Sequence, residues 1–263
     1  AGADRRRPRG RAHDRPRSPQ PARPRAVEGA PQRPGHRSFV GLYDVAVRHG
    51  LTIGEIATMV RELEGLDEAA LEVIPVRGLT RAMRFEETGL PWVLPSPNMP
   101  ALETALVYPG GCLIEGTALS EGRGTTRPFE IWGAPGLDGN ALARTPIDGA
   151  ILRPLRFLPT FQKHVGKICG GVQVHVTDPD RFSPYAAYAR LLFEARQIMQ
   201  SKFEWRAQAY EFVDAVPAID LLSGGPELRE AIDRGRGLDA VLAAEQAGAA
   251  RFTRERERWM LYR

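Results

Sequence analysis

The chain has 263 residues, of which 43% are hydrophobic and 26% charged. That composition allows a buried core and excludes collagen-like, coiled-coil and wholly disordered chains. Apolar runs are short and broken by Gly, Pro or charge, so none approaches the roughly 18–20 residues that a membrane-spanning helix needs.

The net charge of +4 is unevenly spread. Eleven arginines against Asp4, Asp14 and Glu28 give residues 1–37 a charge of +8, which leaves −4 on the remainder. A basic nucleic-acid groove on the body is therefore not expected. Seven prolines and few apolar residues make residues 1–37 read as an extended or disordered tail. The chain opens without Met and without the apolar core of a signal peptide, and reads as a fragment. Cys112 and Cys169 show no metal-ligand spacing, so no disulfide framework, zinc module or other metal site is expected.

From Ser38 onward the texture is globular. Thr52-x-x-Glu55 forms a capping box, and Ile53, Ile56, Ala57, Val60 and Leu63 follow at helical spacing, which predicts a helix ending near Gly65. Residues 71–76 read as a strand. Residues 95–100 hold three prolines and predict a rigid loop, with Pro100 opening a short helix through about Val107. Phe129 and Ile131 alternate with Glu130 and Trp132, and Val172, Val174 and Val176 alternate with Gln173 and His175. Both segments read as half-buried strands. Residues 151–158 predict another, which Pro154 places at an edge or bulge. Ser183-Pro184 is expected to cap a helix whose stripe is Tyr185, Tyr188, Leu191, Leu192, Ala195, Ile198 and Met199. Helices follow from about Ala218. Strands and helices without regular alternation predict an α+β fold, a mixed sheet with packed helices.

Residues 108–135 gather Glu115, Ser120, Glu121, Arg123, Thr125, Thr126, Arg127 and Glu130 around six glycines. Glycine lets the backbone approach a ligand, while Glu, Arg and Thr supply groups that a polyhydroxylated or acidic ligand needs. The alternative is a surface turn in which Glu121 and Arg123 pair in solvent. Glycoside hydrolysis uses two carboxylates, and Glu115 and Glu121 are the candidates, each of which could equally cap a turn or pair with Arg. His49 and His164 are candidate acid–base or binding groups near neutral pH. His175 points away from the Val face of its strand.

The segments Trp92-Val93-Leu94-Pro95-Ser96-Pro97-Asn98-Met99-Pro100, Leu113-Ile114-Glu115-Gly116-Thr117 and Leu119-Ser120-Glu121-Gly122-Arg123-Gly124-Thr125-Thr126-Arg127-Pro128-Phe129-Glu130 resemble the NamZ family of bacterial exo-β-N-acetylmuramidases. Val47-Arg48-His49-Gly50, Lys163-His164, the segment from Cys169 to Val176, and Trp259-Met260-Leu261-Tyr262 are similar to its other landmarks. The match is collinear from about Ser38 to Tyr262, so residues 38–263 are expected to form the family's C-terminal α+β domain. Residues 1–37 are expected to be a remnant of a mostly missing Rossmann-like N-terminal half.

The resemblance implies release of non-reducing terminal N-acetylmuramic acid from peptidoglycan fragments during cell-wall turnover, without a cofactor. The implied partner is a muropeptide or disaccharide, with no nucleic acid and no membrane span. Glu115 and Glu121 would be catalytic. His49, Asn98, Tyr108, Arg123, Thr125, Thr126, Arg127 and His164 would bind substrate, with Arg123 and Arg127 receiving the lactyl carboxylate. If the family's catalytic Glu lies in the missing half, the chain would be a non-catalytic muropeptide-binding remnant.

Overall fold

The computed structural model describes residues 26–66 and 71–263. Its first helix, α1 (Ile53–Leu63), begins where the capping box predicts. The Thr52 hydroxyl accepts from Glu55 N at 3.3 Å, and Glu55 Oε2 accepts from Thr52 N at 2.6 Å. Residues 71–76 form no strand among the described residues. The alternation there has another cause, because Val73 lies against Gly54 and covers α1. Pro75 also removes a ladder donor.

The 95–100 loop is irregular, as its prolines predict. Helix α2 (Leu102–Gly111) starts two residues after Pro100 and runs through Pro109, one turn beyond the expected end, into a 3-10 turn over Cys112–Gly116. Gly110 permits this extension. A Cβ there would lie 2.0 Å from Pro184 O, at the start of α4 (Pro184–Met199). Gly110→Ala should therefore push two helices apart and destabilise by about 1–3 kcal/mol or more in urea unfolding. A Cβ at Gly78 meets nothing within 4 Å, so Gly78→Ala should cost only the left-handed backbone conformation, about 1 kcal/mol. Equal losses for the two would refute the close-packing account.

The sheet has the order β1-β3-β2, with β1 at Ile131–Ala134, β2 at Ala150–Phe157 and β3 at Cys169–Val176. It is antiparallel throughout, not mixed. The chain returns from β2 to β3 through an 11-residue connection, residues 158–168, whereas parallel neighbours need a longer crossover. The α+β class stands. β2 is an edge strand, which accommodates Pro154.

In β1 the expected facing is reversed, for Trp132 is fully buried and Ile131 only partly. Phe129 is the cause, because its φ of 65° breaks the alternation before the strand begins. That kink is held by Phe129 N donating to Glu121 O at 2.6 Å and Tyr188 Oη donating to Phe129 O at 2.6 Å. His175 is exposed on the outer face, as predicted.

Trp132, Leu152, Val172 and Val174 form the inner face of the sheet. The α4 stripe of Tyr185, Tyr188, Leu191, Leu192 and Ala195 belongs to the same buried cluster, together with Leu113 and Ile114. Helices α5 (Ala218–Ser223), α6 (Glu227–Arg234) and α7 (Leu238–Glu255) complete it. Ala46, Leu51, Met59, Phe252 and Trp259 form a second, smaller cluster under α1.

Residues 26–37 depart from the expected tail, while residues 1–25 lie outside the described residues. Glu28 exchanges backbone hydrogen bonds with Arg48 and ion-pairs with its guanidinium. The same carboxylate accepts from Ser183 Oγ at 2.9 Å and Tyr185 N at 3.1 Å. Glu28, not Ser183, thus caps α4 and satisfies an orphan backbone donor from 157 residues away. Average composition missed this because one partly buried carboxylate anchors an otherwise polar segment.

Candidate functional site

Three segments converge beside the Phe129 kink. The first is the Gly-rich stretch, whose backbone turns sharply at Gly122 and Gly124, both with positive φ. A Cβ at Gly122 would strike Ile131 O at 2.0 Å, and one at Gly124 would lie 2.6 Å from Thr160 N and Phe161 N. Only glycine permits these approaches. The second segment is the β2–β3 connection, docked by Thr160 N and Oγ1 donating to Gly124 O at 3.2 and 2.9 Å. The third is the chain around 204–210, where Ala118 N donates to Glu204 O and Arg206 N donates to Gly116 O, each at 2.9 Å.

Together these bring a chain of alternating charges into one place. Arg123 Nε donates to Glu121 Oε1 at 2.8 Å, and its Nη2 donates to Glu115 Oε1 at 2.6 Å. Lys163 Nζ lies 3.0 Å from Glu121 Oε2, and Tyr210 Oη donates to Glu115 Oε2 at 2.8 Å. The Glu121 side chain is only 4% exposed, so this is an interior ionic network rather than a pair in solvent. Burial opposes the Arg123 charge, but the two carboxylates outweigh it and raise its pKa. Burial lowers the Lys163 ammonium below the usual lysine range, assisted by Arg206 and opposed by Glu121 and Glu115. Tyr210 is pushed up by burial and by Glu115, and so remains a phenol donor.

The aromatic wall is Phe129. Arg123 lies over its ring at 5.1 Å, and Tyr108 meets it edge-on at 4.8 Å. Tyr108 keeps 39% of its surface exposed. Burial pushes its phenol upward as well, with Cys112 and Glu115 adding to the shift. The Cys112 thiol is itself pushed up to about 12 by burial, which makes it unreactive near neutral pH.

Of the residues singled out from sequence, Glu115, Glu121 and Arg123 meet directly, and Tyr108 joins them through Phe129. His164 is adjacent, but its Nε2 is 2.8 Å from Ala118 O and anchors the loop. Its neighbour Lys163 is the residue that reaches Glu121. Thr125 Oγ1 donates to Gly122 O at 2.6 Å and shapes the turn, while Thr126 is exposed. Arg127 turns toward other carboxylates, Glu130 at 3.6 Å and Glu103 at 3.7 Å, and Thr104 Oγ1 donates to Glu130 at 2.7 Å.

Asn98 sits in the proline loop, where its backbone N donates to Ser96 Oγ at 3.4 Å, and no described contact links it to the Arg123 group. His49 lies two residues before Leu51 of the smaller cluster. Its Nδ1 accepts from Leu51 N at 3.0 Å, and burial together with Arg256 lowers its pKa to about 4. A neutral imidazole so far from its usual range is unsuited to acid–base exchange near neutral pH.

Sequence reasoning missed Lys163 and Tyr210. Lys163 carried one signal, as one of three lysines in a chain whose other cations are arginine. Tyr210 carried none. Among the described residues, no group of three His, Cys, Asp or Glu side chains is placed to hold a metal ion, and no helix is long and apolar enough to cross a membrane. A cavity of about 440 Å³ lies near the short helix α3 (Gly139–Leu142) and is lined by Asp138, Asn140, Pro154 and Arg156, among others, but it shares no residue with the ionic network.

The fold and site therefore define an α+β protein with a bridged carboxylate pair, one buried and one partly buried, on a Gly-rich stretch. The family model described as the C-terminal part of exo-β-N-acetylmuramidase NamZ matches residues 106–262, and that for the N-terminal part matches residues 14–103. The chain belongs to the NamZ family.

Over 248 residues it is 36% identical to the peptidoglycan β-N-acetylmuramidase NamZ of Bacillus subtilis, covering 93% of this chain and 58% of that protein. Two crystal structures of DUF1343 family proteins from Bacteroides fragilis are each 26% identical. Their TM-scores are 0.80 and 0.65, and the matches cover 93% and 92% of this chain but 65% and 64% of theirs. The chain thus spans less than two thirds of the length of these relatives.

Proposed function

We propose that the chain acts as a glycoside hydrolase that releases N-acetylmuramic acid from the non-reducing end of peptidoglycan fragments. The observation that carries this reading is the bridged pair Glu115–Arg123–Glu121, on a loop within the residues that match the family's C-terminal model. One guanidinium joining both carboxylates holds them no more than about 8 Å apart, compatible with the roughly 5–9.5 Å that glycosidase pairs span. In this proposal Arg123 holds the pair, and half-exposed Tyr108 meets a sugar face. Thr125, Thr126, Arg127 and Asn98 supply polar contacts. The further length of the relatives would belong to a Rossmann-like half packed across the cleft.

One observation favours a second reading, a muropeptide-binding protein without turnover. The Arg123 guanidinium links the two carboxylates directly, so as found they are not an open acid–base couple. A disaccharide with N-acetylmuramic acid at the non-reducing end separates the two. Release of the free sugar, with turnover lowered at least about 100-fold in Glu121→Gln, is expected for the hydrolase. Binding without release would establish the second reading, and neither binding nor release would reject both.

A further inference from the structure

The third segment brings a cation that the carboxylate pair does not use. Arg206 is four residues before Tyr210, whose hydroxyl holds Glu115. The Arg206 guanidinium lies 5.1 Å over the Tyr210 ring. Its Nε and Nη2 donate to the carbonyls of Gln208 and Ala209 at 3.4 and 3.1 Å. Among the described residues it makes no ion pair, unlike Arg123 and Lys163 beside it. It is only partly buried and lies close enough to Lys163 to depress the ammonium.

Arg123 and Lys163 are paired with Glu115 and Glu121, while no described carboxylate pairs with Arg206. Carbonyl contacts occupy two of the five guanidinium N–H donors. The rest form a flat, permanently charged fork backed by an aromatic ring, a geometry that suits a planar oxyanion.

We propose that Arg206 is the anion receptor of this site and takes the carboxylate of a sugar-acid ligand. The assignment rests on the carbohydrate reading above and names the residue that determines specificity for the acid. It replaces Arg123 in that role, because both Arg123 contacts already go to Glu115 and Glu121. It takes precedence over Arg127, whose guanidinium lies beside Glu130 and Glu103.

The test titrates the whole chain by calorimetry with N-acetylmuramic acid and with N-acetylglucosamine, which lacks the lactyl carboxylate. Wild type should prefer the acid by about tenfold or more, since a site built around a charged partner rejects the analogue lacking it. Arg206→Gln should bring the acid down to the affinity of the neutral sugar. Arg206→Lys, which keeps charge but not the fork, should recover part of the preference. Undiminished preference in Arg206→Gln overturns the assignment, as does loss of preference in Arg127→Gln alone, and both outcomes leave the carbohydrate reading intact. A wild type that binds neither sugar overturns the two together, and one that binds both equally overturns the assignment alone. Should Arg206→Gln lose both sugars through collapse of its loop, Arg206→Lys decides. A reduced preference with neutral-sugar binding intact supports the receptor, and a preference as large as that of wild type refutes it.

Discussion

Arg123→Met should destabilise the protein by about 3–5 kcal/mol, measured by urea unfolding, because it strands two carboxylates in the interior. Glu115 and Glu121 have side-chain exposures of 14% and 4%, so water cannot replace the lost donors at Glu121. Lys163 still faces Glu121 and Tyr210 still donates to Glu115, which places the expectation toward the lower end. Neutralising the stranded acids as well, in Arg123→Met/Glu115→Gln/Glu121→Gln, should recover much of the loss. Arg123→Lys should fall between, since an ammonium keeps the charge but cannot hold the same two-carboxylate geometry. A single Arg123→Met variant within about 0.5 kcal/mol of wild type would sink the idea of an interior ionic keystone.

The second large effect runs in the stabilising direction. Glu245, on α7, accepts from Tyr185 Oη at 2.9 Å through one oxygen, while the other is buried without a hydrogen-bond partner. Burial raises its pKa from 4.5 to about 7, with Glu227 adding to the shift and the Tyr185 hydrogen bond and Arg33 opposing it. The folded state therefore holds this proton more tightly than the unfolded state. Stability falls as pH rises from about 4.5 to about 7, and the penalty persists above that window, on the order of 3 kcal/mol at full ionisation. Glu245→Gln removes the ionisation. It should stabilise the protein at pH 8 by up to about that amount and leave little difference near pH 4. Parallel stability curves for variant and wild type across this range would refute the account.

Local pattern was enough for several elements and for the neighbourhood of the site. The Thr52–Glu55 capping box and the α4 stripe depend on residues within a turn or two of each other, and both lie where periodicity puts them. Glycine density marked the turns at Gly122 and Gly124 for the same reason, because positive φ is a single-residue demand. Residues 71–76 and the Phe129 strand were misread because burial there is imposed from elsewhere. Val73 covers a helix, and Phe129 is kinked by contacts to Glu121 and to Tyr188, the latter 59 residues away.

The roles within the site follow the same division. Acidic and basic residue types alone identified Glu115, Glu121 and Arg123 as a chemically distinct set, and the segments around them helped carry the family likeness. Their partners came from folding: Lys163 from the β2–β3 connection, Tyr210 from 95 residues beyond Glu115, and Glu28 capping a helix 157 residues onward. Short-range order is written in spacing and caps because those energies act within a few residues. Which charge meets which is decided only when distant segments exclude water from one another, and one-dimensional pattern holds no record of that meeting.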